Sequence, residues 1–199
     1  MSRLGWTIFA VIVLAALAFG SMLSFSGAPP GGVRDRVRAS VSEALPKLVP
    51  SSTRLVVPVR HVPTDAIVPS WGDARGGGSR SHQGMDIAAP RGTPVVAAAA
   101  GTVEKLFESA AGGTTLYVRS PDRRMTYYYA HLAGYAPGMR EGLRVRAGEH
   151  LGYVGDTGNA GAGNYHLHFG ISRMRPEERW HEGRPIDPYP LLARAEAAR

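Results

Sequence analysis

The part of the chain from about Thr53 to Ala193 consists of short runs of strand-forming residues separated by segments rich in Gly and Pro. The runs are "TPVVAAA", "GTVEKLFES", "TTLYVRS", "RMTYYYAHL" and "HLHFGISR". The sequence "SPDRR" lies between two of these runs and is typical of a hairpin turn. No long amphipathic helix interrupts the runs. We therefore predict a mainly β fold, an antiparallel sheet with long Gly-rich loops.

The amino terminus carries a long apolar run. No residue from Leu4 to Phe25 is charged, and about 20 apolar residues are enough to cross a bilayer as a helix. The apolar core of a cleaved signal peptide is shorter, about 7–15 residues. We therefore predict an N-terminal transmembrane helix as a membrane anchor within residues 1–27. Cleavage at the small residues Ala18 and Gly20 is the alternative, and it would give a secreted protein.

The charges that flank this apolar run give conflicting indications of its orientation. Arg3 favours an amino terminus inside the cell, whereas a basic segment from Arg34 to Arg38 opposes export. This segment begins nine residues after Phe25, so we give it less weight than Arg3. We predict a single-pass anchor in the inner (cytoplasmic) membrane of the cell envelope, with the rest of the chain on the extracytoplasmic (periplasmic) side.

Residues 28–52 are predicted to form a linker and a short stalk helix. Pro and Gly in "SGAPPGG" break any continuing helix. After them, an apolar residue recurs at every fourth position, which is typical of a helix with a narrow apolar stripe: Val33, Val37, Val41 and Leu45. Residues 53–193 are predicted to be the folded domain, and residues 194–199 a C-terminal tail.

Composition narrows the classes of partner and of metal site. The chain has 23 Lys and Arg residues against 16 Asp and Glu residues, a balance that favours a polyanionic neighbour such as nucleic acid, anionic lipid or an acidic cell-wall polymer. There is no zinc-finger spacing, helix-turn-helix signal or interleaving of basic and aromatic residues, so we predict no nucleic-acid partner. The chain has no cysteine, which excludes disulfides and thiolate ligands. Any metal ion must therefore be bound by His and carboxylate groups.

Two of the seven histidines, His166 and His168, lie one residue apart in the run "HLHFGISR". On a strand they would share one face, while Tyr165, Leu167 and Phe169 would occupy the other face against the core. Two interpretations are open at this point. The strand is half-buried and its polar face happens to carry imidazoles, or the pair belongs to a site for metal binding or proton transfer, since imidazole is the commonest metal ligand.

Three further residues are candidate partners of this pair. His82 and Asp86 form an H-x-x-x-D pattern, and a turn at Gly84 in an extended segment would direct both side chains toward one point. His131 ends the predicted strand "RMTYYYAHL". Each feature alone is weak. Together they supply an N,O,N ligand set with two additional imidazoles, and three protein ligands with an open position are typical of catalytic zinc.

The ordered segments "HQGMD", "YAHL" and "HLHFGI" resemble those of the lysostaphin-like, LytM-domain zinc endopeptidases of bacterial cell-wall metabolism. The resemblance covers about two-thirds of the chain. It implies a LytM/lysostaphin-type domain that binds one Zn²⁺ through His82, Asp86 and His168. It also implies that His131 and His166 are the two catalytic histidines. The remaining histidines match nothing in the family pattern and are interpreted as surface residues: His61, His150 and His181.

The resemblance further implies a function. The chain would be a zinc metalloendopeptidase that hydrolyses peptide crossbridges of bacterial peptidoglycan. Its partners would be peptidoglycan peptides and the membrane, with other cell-wall enzymes as further candidates. The alternative is a non-catalytic or latent LytM-type regulator that activates another cell-wall hydrolase. The presence of all five residues disfavours it, because some members of the family that act only as regulators have lost some of them.

The chemistry expected from this site assigns proton transfer to histidine. The motifs contain no glutamate in the manner of an H-E-x-x-H zincin. One histidine would move the proton of the attacking water, and the other would stabilise the developing oxyanion. The Gly-rich segments "DARGGGSR" and "GDTGNAGAGN" are predicted to rim the substrate groove. Of the tyrosines Tyr127 to Tyr129, we expect at most one to reach it, because side chains alternate along a strand.

Overall fold

The structure, a computed structural model, describes residues 55–195. The predicted membrane anchor, the linker and short helix, and residues 196–199 of the predicted tail lie outside the described residues. Within residues 55–195, no helix has the length and the apolar character that a membrane crossing requires.

Residues 55–195 form a mainly β domain. A 3-10 helix (Thr64–Ala66) precedes the strands, and one short helix, α1 (Tyr189–Leu192), follows them. The strands are β1 (Ala74–Arg75), β2 (Arg80–Ser81), β3 (Met85–Ala88), β4 (Pro94–Val96), β5 (Gly101–Ser109), β6 (Gly113–Arg119), β7 (Met125–Tyr135), β8 (Arg144–Val145), β9 (His150–Val154), β10 (His166–Arg173) and β11 (Arg184–Ile186).

Nine of these strands form one sheet, and β1 and β2 form a separate hairpin. The main path of the sheet runs β11-β10-β7-β6-β5-β8. Strand β3 pairs with β10, and β9 pairs with both β4 and β7. Every pairing is antiparallel. The predicted mainly β, antiparallel fold is therefore confirmed.

The predicted strand runs agree closely with the observed strands. Strands β5 and β10 have the bounds of "GTVEKLFES" and "HLHFGISR". The predicted hairpin turn joins β6 to β7, where the amide of Arg123 donates to the carbonyl of Ser120 over 2.9 Å. Strands β3 and β9 were not among the predicted runs. Each is only four or five residues long, so its alternation alone carries little information.

The core lies against one face of β10 and its neighbours. Leu167 and Phe169 are fully buried, and Ile171 is almost so. Their partners on β7 include Tyr129, which pairs with Phe169 across the ladder. The buried hydroxyl of Tyr129 accepts a hydrogen bond from the amide of Ala98 over 2.9 Å, so the polar group is satisfied inside the core. This packing fixes the strand whose opposite face carries the two histidines.

Candidate active site

His166 and His168 lie on the same face of β10, as the alternation predicts. Leu167 and Phe169 point into the core, and Tyr165 packs against it. His166 is buried and His168 is half-buried, and both line a single cleft of about 840 Å³. The structure thus favours the interpretation of a site over that of an incidental polar face.

Strand β3 brings Asp86 to this cleft. It pairs antiparallel with β10, and the register places Asp86 directly opposite His168. The Oδ1 atom of Asp86 lies 3.1 Å from Nδ1 of His168. His82 precedes β3, and its Nε2 atom lies 3.0 Å from the same Oδ1 and 2.9 Å from Nδ1 of His168. The structure therefore brings together the three residues that the resemblance assigned to zinc.

The three atoms fit a small cation. In a tetrahedral zinc site with bonds of about 2.0–2.1 Å, two ligand atoms lie roughly 3.3 Å apart. The observed separations of 2.9–3.1 Å are close to that value. Two neutral imidazoles and a carboxylate are also a donor set that zinc accepts. His82, Asp86 and His168 would thus hold the metal ion, and within residues 55–195 they are the group of His and carboxylate side chains with this geometry.

A glycine makes room for this arrangement. A Cβ atom on Gly84 would lie 2.6 Å from both Cε1 and Nε2 of the His168 ring, closer than real Cβ contacts. It would also lie 2.9 Å from the carbonyl oxygen of Phe169. Only glycine allows the segment between His82 and Asp86 to approach β10 this closely.

Backbone carbonyl groups fix the tautomers of three site histidines. The Nδ1 atom of His82 lies 2.6 Å from the carbonyl of Ser70, and that of His131 lies 2.8 Å from the carbonyl of Thr157. The Nδ1 atom of His166 lies 2.8 Å from the carbonyl of Asn164. A carbonyl only accepts, so in each ring Nδ1 carries the proton. The unprotonated Nε2 atom of each ring is therefore free to bind a metal ion or accept a proton.

His131 lies at an irregularity of strand β7. Its φ of 60° falls in the left-handed region that residues other than glycine rarely adopt. The pairing of β7 with β6 shifts register between Thr114 and Leu116, beside this residue. The ring centroid of His131 lies 4.9 Å from that of His166. Strand β7 continues to Tyr135, so His131 lies within the strand and does not end it as predicted. Strained backbone of this kind concentrates at functional sites, and here it accompanies an imidazole that lines the cleft.

Burial in the cleft lowers the pKa of two of its histidines, whereas its carboxylate has a lowered pKa for other reasons. Burial lowers the pKa of His131 to about 4, although its hydrogen bond to Thr157 acts in the opposite direction. Burial also lowers the pKa of His82. For Asp86, burial opposes ionisation, but the hydrogen bond with His168 and the charges of the neighbouring imidazoles outweigh it and lower the pKa to about 2.

Arg75 is a site residue that the sequence did not single out. Its guanidinium donates to Oδ2 of Asp86 over 2.7 Å, which leaves Oδ1 facing the histidines. The guanidinium also lies 3.3 Å from Nδ1 of His82. That nitrogen already donates to a carbonyl and cannot accept, so the contact with Asp86 is the hydrogen bond. Arg75 lies in "DARGGGSR", which was predicted only as a rim of the groove, and no spacing signal marks it.

The rim of the cleft agrees in part with the prediction. Both Gly-rich segments contribute, through Gly76 and Arg80 on one side and Asn159 and Ala160 on the other. Of the three consecutive tyrosines, only Tyr128 lines the cleft, whereas its neighbours on both sides are buried. Of the histidines assigned to the surface, His61 and His181 are exposed, but His150 is half-buried.

Comparisons with known proteins agree with this geometry. The sequence model of Peptidase family M23 matches residues 80–188, which contain all five candidate residues. The chain is 40% identical over 130 residues to the L-Ala–D-Glu endopeptidase of Bacillus subtilis, an alignment of 62% of this chain and 38% of that protein. It is 32% identical over 100 residues to the peptidoglycan DD-endopeptidase ShyC of Vibrio cholerae, covering 50% of this chain and 22% of that protein. The chain thus spans less than two-fifths of the length of these two relatives.

A solved structure gives the same likeness at the level of the fold. The catalytic domain of lysostaphin from Staphylococcus simulans, an antimicrobial peptidase, superposes with a TM-score of 0.53 and 26% identity. The match covers 65% of this chain and 94% of that domain. The LytM/lysostaphin-type fold of the described domain is therefore established.

Proposed function

The chain belongs to peptidase family M23, and from this premise we propose that it is a zinc-dependent endopeptidase that hydrolyses peptide crossbridges of bacterial peptidoglycan. The observation that carries the proposal is the meeting of five side chains from three separate parts of the chain in one cleft: His82, Asp86, His131, His166 and His168. The names of the Bacillus and Vibrio relatives, both endopeptidases, support the reaction class.

The residues divide into two groups by their contacts. His82, Asp86 and His168 would hold the zinc ion, which supplies a Lewis acid toward the scissile carbonyl. His131 and His166 stand beside that group with Nδ1 committed to backbone carbonyls. Their Nε2 atoms are therefore the groups that exchange protons with the reactants.

Hydrolysis of a peptide bond requires two proton movements, and we assign both to histidines. Water adds to the carbonyl carbon and loses a proton, the C–N bond breaks, and the leaving amine gains a proton. Among the described residues that line the cleft, Asp86 is the single carboxylate. Because it pairs with Arg75 and its pKa is lowered to about 2, it does not serve as the base. His131 and His166 take the base, acid and oxyanion-stabilising roles between them.

The proposed location follows from the substrate and the apolar run of residues 4–25. Peptidoglycan lies outside the cytoplasmic membrane, so the domain would be extracytoplasmic, with the amino-terminal run as its anchor. Secretion after signal cleavage is the alternative. A reporter that is active only outside the cytoplasm, fused after Arg199, would be active under this proposal. Activity of a cytoplasm-only reporter at the same position would contradict it.

The experiment that tests the function uses the full chain, purified in detergent and loaded with zinc. Incubation with purified sacculi should release peptide-linked fragments, and mass spectrometry identifies the bond that is cut. A chelator should abolish release and added zinc should restore it. The His131→Ala variant should retain zinc without releasing fragments. The contrary outcome is that the parent releases no fragments and yet stimulates a second wall hydrolase. If His131→Ala stimulates that hydrolase equally, the chain is a regulator and the peptidase proposal is wrong.

A further inference from the structure

A row of aromatic rings leads out of the cleft across the outer face of the sheet. The row begins at Tyr128, whose ring lies edge-on to that of His168 at a centroid distance of 5.8 Å. Tyr117 stacks on Tyr128 at 4.5 Å. Trp180 meets Tyr117 at 4.7 Å, and Phe107 meets Trp180 at 5.1 Å. We call Tyr128, Tyr117, Trp180 and Phe107 the aromatic row.

The ladders explain why three of these rings share a face. Tyr117 of β6 pairs directly with Tyr128 of β7, and Lys105 of β5 pairs with Tyr117 on its other side. Phe107 follows Lys105 by two positions and so points the same way. The residue opposite Tyr128 on β10 is Gly170, and a Cβ there would lie 3.4 Å from the tyrosine ring. The row is thus a product of strand register.

The fourth ring belongs to the loop between β10 and β11, and buried charge holds that loop in place. Arg119 is 2% exposed and pairs with both carboxylate oxygens of Glu104, at 2.6 and 3.1 Å. The same guanidinium donates to the carbonyl of Glu178 over 2.7 Å. Arg123 donates to the carbonyl of Pro176 over 2.8 Å. These bonds fix the backbone just before Trp180, so its ring has a defined place beside Tyr117.

The row is open to solvent at its outer end. Phe107 is 40% exposed, and among the described residues it and Val68 are the exposed large hydrophobic side chains. Trp180, Tyr117 and Tyr128 are half-buried. A membrane or a stable protein partner requires a contiguous apolar area of several hundred Å². A single file of rings with hydroxyl groups and a neighbouring Lys105–Glu141 ion pair is narrower and more polar than that.

We propose that the outer part of the aromatic row, Trp180 and Phe107, binds the sugar rings of the glycan strand to which the cleaved peptide is attached. This inference rests on the proposed function, because it assigns the polymer that continues from the scissile peptide. A pyranose has an apolar C–H face that stacks on the flat face of an aromatic ring, and a polar edge to which the indole N–H of Trp180 can donate. An extended peptide covers about 3.3–3.6 Å per residue. A stem of a few residues therefore reaches from the cleft along Tyr128 and Tyr117 to sugars at Trp180 and Phe107.

The test compares two substrates with the zinc-loaded full chain. One is a crosslinked muropeptide that keeps its sugars, and the other is the same crosslinked peptide after enzymatic removal of the sugars. Trp180→Ala and Phe107→Ala should each raise KM for the sugar-bearing substrate by roughly three- to tenfold, the range of one aromatic contact. The kcat on that substrate and both parameters on the sugar-free peptide should stay at the parental values. Trp180→Tyr should keep KM for the sugar-bearing substrate close to the parental value, because it retains an aromatic ring at this position.

A binding measurement makes the result independent of catalysis. Peptide-free glycan strands should co-sediment with the parent, and Trp180→Ala should release them. Val68→Ala is the matched control, because Val68 is an exposed hydrophobic residue outside the row. Thermal unfolding and zinc content verify that each variant is folded.

Three outcomes would overturn the inference. An equal loss on both substrates would make the row a peptide-binding surface, and no loss on either would make it packing alone. Failure of the parent to bind peptide-free glycan would also contradict it. If the parent cleaves neither substrate but binds glycan through Trp180, the glycan inference stands and the proposed peptidase function falls.

Discussion

The Nε2 atom of His82 lies 2.9 Å from the Nδ1 atom of His168, although 86 positions separate the two residues in the chain. Because the Nδ1 proton of His82 is committed to Ser70, the Nε2 atom presents a lone pair to the other ring. The Oδ1 atom of Asp86 completes the triangle. The lone pairs of these two nitrogen atoms and one oxygen atom repel one another at this separation unless a proton or a metal ion lies between them. The geometry therefore favours a bound cation.

Removing one of these donors should release the metal. We expect Asp86→Ala and His168→Ala to lose bound zinc and with it all activity, because two remaining ligands do not complete a site. Metal content per chain after dialysis measures the effect. His150→Ala is the control, since this imidazole bonds the Gly152 carbonyl away from the cleft. Full zinc occupancy in both ligand variants would refute the ligand assignment.

The other two histidines should affect turnover without affecting the metal. His131→Ala and His166→Ala should keep parental zinc content and lose roughly 10²–10⁴-fold in kcat, the usual contribution of a general acid or base. If the two imidazoles act as a unit, the double variant should lose less than the product of the single effects. Steady-state kinetics on a crosslinked peptide decides this. Unchanged kcat in both single variants would contradict the mechanism.

Gly84 should be required for the zinc site, because it lets the segment between His82 and Asp86 approach β10 closely. Gly84→Ala places a Cβ against the His168 ring, so we expect zinc affinity to fall by at least about tenfold, as when other supports of a metal ligand are altered. Gly134→Ala is the matched control, because a Cβ there meets no atom within 4 Å. Isothermal titration with zinc compares the two. Equal zinc affinities of Gly84→Ala and Gly134→Ala would contradict the prediction, because the ring of His168 would then move aside without any effect on zinc binding.

The buried pair of Arg119 and Glu104 should contribute to stability rather than to chemistry. Arg119→Met leaves the Glu104 carboxylate with only the longer, half-exposed contact to Arg123, which we expect to lower the free energy of unfolding by about 3 kcal/mol, the low end for a buried ion pair. We choose the low end because Glu104 remains 19% exposed. Arg123→Ala removes a half-exposed partner of the same carboxylate and should change stability by less than about 1 kcal/mol. Urea unfolding measures both, and equal effects would contradict the assignment.

The turn between β6 and β7 should respond to pH through Asp122. The Ser120 hydroxyl, followed by the Arg124 amide, donates to this carboxylate and lowers its pKa below 3.8. The folded state therefore binds its proton less tightly than the unfolded state, and the gain in stability is present above pH 3.8 and lost as pH falls through the lowered pKa. The stability difference between the parent and Asp122→Ala should shrink from pH 7 to pH 3. Ser120→Ala should flatten that trend, and a constant difference would contradict it.

The sequence determined the local features of this protein. Alternation along "HLHFGISR" is a property of any strand with one buried face, and it places His166 and His168 on the same face without reference to any tertiary contact. Strand-forming composition between Gly-rich segments predicts the runs that form β5 and β10. The five candidate residues of the site followed from a resemblance carried by short motifs, which the match to family M23 supports.

Tertiary structure alone decided how those features meet. The register that sets Asp86 opposite His168 joins strands about 80 positions apart, and the pattern of neither strand specifies its partner. The positive φ of His131 coincides with a register shift in the pairing of β7 with β6, which no local pattern predicts. The contact of Arg75 with Asp86 and the place of Trp180 beside Tyr117 depend on loops held by distant groups. Periodicity reports which face of a segment is buried, whereas pairing and loop docking are selected by contacts between segments, which only the folded chain contains.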